Sequence, residues 1–144
     1  HTKMVNINKD IDVQWLSTQA CIYKTKILKK NDLFDTSLGR YSYLDDLFFS
    51  FQLSKRGKLK VISKSKYYHP NNIERNNFNF GVQEIRNRYK FVKKNKFSLN
   101  KFYFTVFIKM FYSLFLILMF RLNKIPKVFG NIFGIILCLL SIKK

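Results

Sequence analysis

Large apolar side chains recur at helical spacing in two stretches of the first hundred residues. Residues 43–55 place four of them on one face, the pattern of a stripe that packs on a core. These are Leu44, Leu47, Phe48 and Phe51. Residues 74–95 carry a second seam with steps of four and three, formed by Phe78, Val82, Ile85, Tyr89 and Val92. The pattern predicts two amphipathic helices.

Shorter apolar runs predict strands between these helices. Residues 20–23 are apolar and contain residues that favour strands, so we expect a buried strand there. Residues 24–31 predict a short helix, and residues 59–63 alternate as a strand does. The turn that follows contains His69 and Pro70.

The last third of the chain holds two apolar segments, residues 102–120 and 128–142, separated by a basic turn. The first is about 28 Å long as a helix and the second about 22 Å, against a hydrocarbon core of about 30 Å. Basic residues lie before, between and after the two segments. Basic flanks prefer the cytoplasmic side of a membrane, and two full spans would place the basic turn on the opposite side, so this distribution disfavours two spans. We therefore favour a hairpin in the cytoplasmic leaflet over two spans or a soluble pair. Its expected headgroup contacts are Lys101, Lys109, Arg121, Lys124 and Lys127.

The charge distribution supports an anionic partner. The net charge is +19, and Glu84 is the last acidic residue of the chain. A basic half of this kind attracts phospholipid surfaces, nucleic acids or phosphorylated ligands. The sequence has no helix-turn-helix, zinc or RNA-binding signature. We therefore expect an anionic membrane surface and no nucleic acid, and we keep a nucleic-acid-binding basic protein as the weakest alternative.

Two adjacent carboxylates, Asp45 and Asp46, open the helix predicted at 43–55. One interpretation is structural: Ser42 is the N-cap, and Asp45 three residues later completes a capping pattern. The other is chemical, because a carboxylate within hydrogen-bond reach can remove a proton from an attacking hydroxyl. The local residues alone favour the cap.

A longer series of residues resembles the C-terminal half of the catalytic domain of family 2 glycosyltransferases. In chain order it consists of Trp15-Leu16-Ser17, the predicted strand at 20–23, Phe34-Asp35, the acidic helix start, Ser54-Lys55-Arg56-Gly57, the predicted strand at 59–63, His69 and Arg86-Asn87-Arg88. The resemblance covers about residues 12–97 and implies an α/β fold, a C-terminal fragment of the GT-A type. Because the composition becomes almost wholly apolar after about residue 97, we expect one domain over residues 1–97 and the helical pair over residues 98–144.

The resemblance also implies roles for individual residues. Asp46 matches the catalytic base, while Trp15, Ser17, Asp45 and Gln52 fall at substrate-binding positions. His69 matches a residue that lies near the donor diphosphate or metal. The implied reaction is inverting transfer of a sugar from a nucleotide sugar to a hydroxyl of a glycan or lipid-linked acceptor. A divalent cation, Mg²⁺ or Mn²⁺, is the implied cofactor.

Several departures limit this interpretation. Phe48 stands where the family often has a third acid, Gln52 replaces the usual Arg, and Thr18 and Gln19 replace small residues. The nucleotide-binding half that precedes this region in the family has no counterpart here. We therefore expect the chain to be a piece of a longer protein, attached to the cytoplasmic face of the membrane and inactive alone. The alternative is a non-catalytic basic membrane-binding module.

Overall fold

The computed structural model describes residues 8–29, 35–38, 43–66 and 75–141. The chain divides into two compact units, His1–Asn72 and Ile73–Lys144. The second unit begins well before the boundary expected at residues 97 and 98, so the helix predicted at 74–95 folds together with the apolar segments that follow it.

Within its described residues, the first unit contains a two-stranded antiparallel sheet and one α-helix. Strand β1 (Ile11–Val13) pairs with β2 (Leu59–Val61), with Ile11 opposite Val61. Helix α1 (Asp45–Ser54) buries Phe49 and Leu53 with Leu59 of β2 in a small core. Three 3₁₀ turns, at Thr18–Ala20, Thr25–Ile27 and Thr36–Leu38, lie along the connecting segments.

The predicted α/β fold of GT-A type is wrong for this chain. The described residues form four α-helices and one two-stranded sheet, so helix predominates over strand. A doubly wound fold requires several parallel strands joined by helical crossovers. The strand pair here is antiparallel and too small to organise such a layer.

The predicted buried strand at 20–23 is also wrong, because this segment has no strand pairing and Ile22 is fully exposed. A parallel-sheet strand is stable only with neighbours that accept its hydrogen bonds. The helix predicted at 24–31 is reduced, within its described part, to the 3₁₀ turn Thr25–Ile27. The strand predicted at 59–63 is confirmed in its first three residues.

The second unit is built from three helices: α2 (Phe78–Lys94), α3 (Leu99–Leu118) and α4 (Ile125–Leu140). Side-chain caps fix two of the starts. Asn77 accepts a hydrogen bond from the Phe80 amide at 2.8 Å, and Ser98 accepts one from the Lys101 amide at 3.3 Å. A 3₁₀ turn, Leu122–Lys124, leads into α4. The helices predicted from periodicity and apolar runs are confirmed here.

Helices α2 and α4 run parallel and in close contact. Gly130 lies against Phe78 near the start of α2, and Cys138 shares a core cluster with Ile85 and Tyr89 further along it. Helix α3 runs antiparallel to α2. Phe102, near the start of α3, packs on Tyr89, late in α2, at a ring-centroid distance of 5.9 Å. The core of the unit therefore lies between α2 and the two apolar helices.

Helices α3 and α4 each expose a series of large apolar side chains. On α3 the exposed side chains include Phe104, Phe107, Phe111, Leu114, Phe115 and Leu118. On α4 they include Phe129, Phe133, Ile136, Leu139 and Leu140. Both helices are long and apolar enough to cross a membrane, counting the turn Leu122–Lys124 with α4. Contiguous apolar patches on this scale mark surfaces that meet a lipid or a partner.

Candidate functional site

The acidic pair lies in the first turn of α1, as the sequence predicts. The Asp45 carboxylate accepts a hydrogen bond from the Asp46 amide at 2.7 Å, and the Asp46 carboxylate accepts one from the Leu47 amide at 2.8 Å. The helix begins at Asp45, and its N-cap position is Leu44, in the left-handed region at φ 74°. Ser42, which the sequence predicts as the N-cap, lies outside the described residues. Each acid satisfies the amide that follows it.

The Asp46 carboxylate has a titratable neighbour in Tyr23. Burial raises the pKa of the Tyr23 phenol, and Cys21 and the negative charge of Asp46 shift it in the same direction. Tyr23 also packs edge-on against Phe49 of α1, with ring centroids 5.3 Å apart. The segment after Ser17 thus reaches α1 near its acidic start. The Cys21 thiol donates to the Ser17 carbonyl at 2.7 Å and fixes the turn between them.

The other predicted substrate-binding residues are less closely gathered. Trp15 is about half exposed, at 51%. Gln52 lies six residues after Asp46, which on a regular helix is about 9 Å along the axis and about 120° around it. The two side chains therefore do not share a face of α1. His69 lies outside the described residues.

The described residues do not form a donor set for the divalent cation that the resemblance implies. Within residues 8–29, 35–38, 43–66 and 75–141, no three His, Cys, Asp or Glu side chains lie together as metal ligands would. The implied cation therefore has no ligand set in this part of the chain.

A second charged centre lies among the three helices of the other unit. The Glu84 side chain on α2 is only 4% exposed, and basic side chains from each helix surround it. Lys109 of α3 pairs with Glu84 Oε1, Lys127 Nζ of α4 is 3.2 Å from Oε2, and Arg88 Nη2 is 3.4 Å from Oε1. Lys127 also lies over the Phe80 ring, 4.7 Å from its centroid. We call Glu84, Arg88, Lys109 and Lys127 the Glu84 cluster.

The cations keep Glu84 ionised despite its burial. Burial raises the pKa of a carboxyl group, but Lys109, Lys127 and Arg88 outweigh that effect and hold the pKa of Glu84 below its ordinary value. The same carboxylate offsets the cost of Lys109 in an otherwise apolar helix. The cluster therefore joins α2, α3 and α4 at one buried point.

The five predicted headgroup-binding residues differ in their surroundings. Lys101 and Arg121 are exposed. Lys124 Nζ donates to Asn76 Oδ1 at 3.0 Å, just before α2 begins. Lys109 and Lys127 belong to the Glu84 cluster, where each pairs with a buried carboxylate while its side chain stays partly exposed.

Sequence reasoning missed the residues that join the three helices. Gly130 and Gly134 form a Gly-x-x-x-Gly spacing in an apolar segment, a signal of close helix packing that could have found them. Glu84 stood out only as the last acid of the chain. Its pairing with Lys109, twenty-five positions away, has no local signature in the sequence.

Comparisons with known proteins identify no relative. No family model, no curated protein and no solved structure matches this chain. The functional feature that the structure shows is the pair of apolar helices, which could span or bind a membrane.

Proposed function

We propose that the second unit binds a membrane in the plane of its surface, with the apolar faces of α3 and α4 in the lipid and α2 on the water side. One observation carries this proposal. Helix α2 lies against α4 from Lys127, beside Gly81, to Gly134, beside Ile85, and Cys138 further along α4 shares a core cluster with Ile85 and Tyr89. The depth of α4 in a membrane therefore also sets the depth of α2.

The outer face of α2 is too polar for the hydrocarbon core. It exposes Arg86, Lys93 and Lys94, and Lys90 is half-buried. Each such cation costs about 2.5–3.5 kcal/mol at the centre of a membrane helix. A transmembrane α4 would take these side chains into lipid, whereas an in-plane arrangement leaves them in water or among headgroups.

The exposed faces of α3 and α4 supply the binding energy. Phe104, Phe111 and Phe115 are each more than half exposed. Moving a side chain of this size fully from water into lipid stabilises binding by about 1.5–3 kcal/mol. Exposed cations such as Lys101 and Arg121 add about 1 kcal/mol each near an anionic surface.

Vesicle flotation tests this proposal with the full chain. We expect it to float with vesicles of phosphatidylcholine containing an anionic lipid and to float less with phosphatidylcholine alone. Retention in the soluble fraction with both compositions would contradict membrane binding. Binding to a duplex DNA whose charge density equals that of the anionic vesicles, without binding to the vesicles, would favour the nucleic-acid alternative.

Sugar transfer is a second candidate function, and it concerns the full-length protein. The series of family-like residues from Trp15 to Arg86, which occur in the same order as in the family, supports it. The position of Asp46 also supports it, since this residue lies at the partly exposed start of a helix and beside the Tyr23 phenol. In this proposal Asp46 removes the proton from the acceptor hydroxyl as its oxygen attacks the anomeric carbon and the nucleoside diphosphate leaves. Membrane attachment on the cytoplasmic face would hold the site close to a lipid-linked acceptor.

Replacement of the base tests this second function. In the full-length protein, Asp46→Asn should reduce sugar transfer by at least about a hundredfold, the lower range of general base catalysis. Asp12→Asn is the matched control, because it removes an exposed carboxylate to which the resemblance gives no role. Equal activity of wild type and Asp46→Asn would exclude the assignment. Sugar transfer by the 144 residues alone would contradict the expectation that they are inactive.

A further inference from the structure

The Glu84 cluster contains more positive charge than its carboxylate can balance. Three cations face one anion, which leaves a net charge of +2 among these four side chains. Glu84 is the only acidic residue in the sequence after residue 75. The helices therefore offer the cluster no second side-chain carboxylate.

The basic side chains of the cluster are partly exposed, although the anion is buried. The Glu84 side chain is 4% exposed, but those of Arg88, Lys109 and Lys127 are 36%, 25% and 17% exposed. Each basic side chain thus contacts the carboxylate while part of its own surface remains open to solvent. Partly desolvated cations bind anions more strongly than fully hydrated ones, because water screens them less.

The surroundings of the cluster fit a lipid. Ile108, next to Lys109, and Tyr112, one turn further along α3, are 52% and 61% exposed. A molecule with a compact anionic group and an apolar tail could place the group on the cations and the tail along α3. A free anion would leave these apolar side chains in water.

We propose that Arg88, Lys109 and Lys127 form a binding site for the phosphate group of a membrane lipid. Phosphate suits this geometry because its several oxygens accept charge-assisted hydrogen bonds from more than one cation, and a guanidinium can donate two in parallel. The proposal rests on the membrane binding described above and adds a preferred headgroup to it. The phosphate monoester of phosphatidic acid is the simplest probe, because its phosphate is not shielded by a head alcohol.

Vesicles of matched charge provide the test. The full chain is titrated with phosphatidylcholine vesicles containing either phosphatidic acid or phosphatidylserine, at compositions adjusted to equal surface potential. We expect at least about threefold tighter binding to the phosphatidic acid vesicles. Arg88→Gln and Lys127→Gln should each reduce this preference at least threefold. Arg86→Gln, on the exposed face of the same helix, is the matched control and should leave it unchanged.

The possible outcomes separate the two proposals. Binding to both vesicle types without preference, or an equal loss in Arg86→Gln and Arg88→Gln, would overturn the phosphate site and leave membrane binding intact. Absence of binding to any vesicle would overturn both. Inorganic phosphate and glycerol 3-phosphate should compete only at millimolar concentrations. Competition as effective as that of the lipid would assign the site to a free phosphate and overturn the lipid proposal.

A measurement on the wild-type chain covers the case in which a variant fails to fold. Amine acylation followed by mass spectrometry reports the accessibility of each lysine. Phosphatidic acid vesicles should protect Lys109 and Lys127 more than phosphatidylserine vesicles do, whereas Lys93, on the exposed face of α2, should be modified equally with both. Equal protection of all three lysines by the two lipids would contradict the site.

Discussion

Gly130 of α4 lies against the main-chain carbonyl of Phe78 on α2, so closely that a Cβ atom at position 130 would collide with that oxygen. The same relation recurs at two neighbouring positions. A Cβ atom at Gly81 would lie 3.0 Å from the amide nitrogen of Asn131, and one at Gly134 would lie 2.9 Å from the Ile85 Cβ. The contact between α2 and α4 therefore depends on backbone surfaces without side chains.

Gly130→Ala should destabilise the second unit by about 2 kcal/mol or more, because the methyl group forces two main chains apart. The measurement is chemical unfolding followed by the helical circular dichroism signal. Gly57→Ala is the control, since a methyl group at position 57 would have no atom within 4 Å and the backbone there does not require glycine. A Gly130→Ala variant as stable as Gly57→Ala would show that the helices do not approach as described.

The stability contributed by Glu84 should depend on pH in a defined direction. Its pKa in the folded chain lies below the ordinary value, so ionised Glu84 stabilises the fold at neutral pH. Glu84→Gln should cost about 3 kcal/mol at pH 7, because Lys109 then loses its anionic partner. The difference between wild type and variant should stay constant above about pH 5 and shrink as the pH falls below about 4.3.

Unfolding curves of both proteins at pH 7, 5, 4 and 3 test this prediction. Comparison with Glu84→Gln removes the general effect of acid on a highly basic chain, since both proteins share all other titrating groups. A difference that is independent of pH, or that grows on acidification, would contradict the ionised Glu84 cluster.

Single substitutions on the exposed face of α3 should weaken membrane binding without unfolding the chain. Phe115 is 56% exposed, so Phe115→Ser removes little from the protein core. It should weaken vesicle binding about tenfold, because the variant loses most of the free energy gained by moving one aromatic side chain from water into lipid. Ile22→Ser is the control, because Ile22 is fully exposed in the other unit. Equal vesicle affinities of the two variants would show that α3 does not enter the lipid.

The sequence predicted the helices of the second unit because their signals are local. The seam that includes Ile85 and Tyr89 is periodic, and both residues are buried in the core cluster. The apolar runs of α3 and α4 are long enough to be recognised without knowing their partners. The boundaries differ by a few residues, set by caps at Asn77 and Ser98 that the pattern did not identify.

The fold of the first unit could not be predicted in the same way. The segment at 20–23 has the composition of a strand, but strand formation depends on a neighbour to pair with, and composition does not supply one. The resemblance implied an α/β fold of GT-A type, whereas the described strands β1 and β2 form only an antiparallel pair. The acidic start of α1 was located correctly, since it depends only on adjacent residues. Its proposed role as a base remains a prediction.

The Glu84 cluster shows a different limit. Lys109 was predicted to contact lipid headgroups, whereas in the structure it pairs with the buried carboxylate of Glu84. The partner could not be identified from the sequence, because the contact between Glu84 and Lys109 is made only when α3 folds back along α2. Lys127 reaches the same carboxylate from a third helix.

The depth of α3 and α4 in the bilayer tests the central claim most directly. Spin labels at Phe107, Phe115, Phe133 and Leu140, one per variant, are compared with a label at Arg86 by power-saturation electron paramagnetic resonance on anionic vesicles. We expect a similar, shallow depth at all four apolar positions, about 5–10 Å below the headgroups, and full water accessibility at position 86. A depth that passes through the bilayer centre along either helix, with position 86 inaccessible to water, would contradict it.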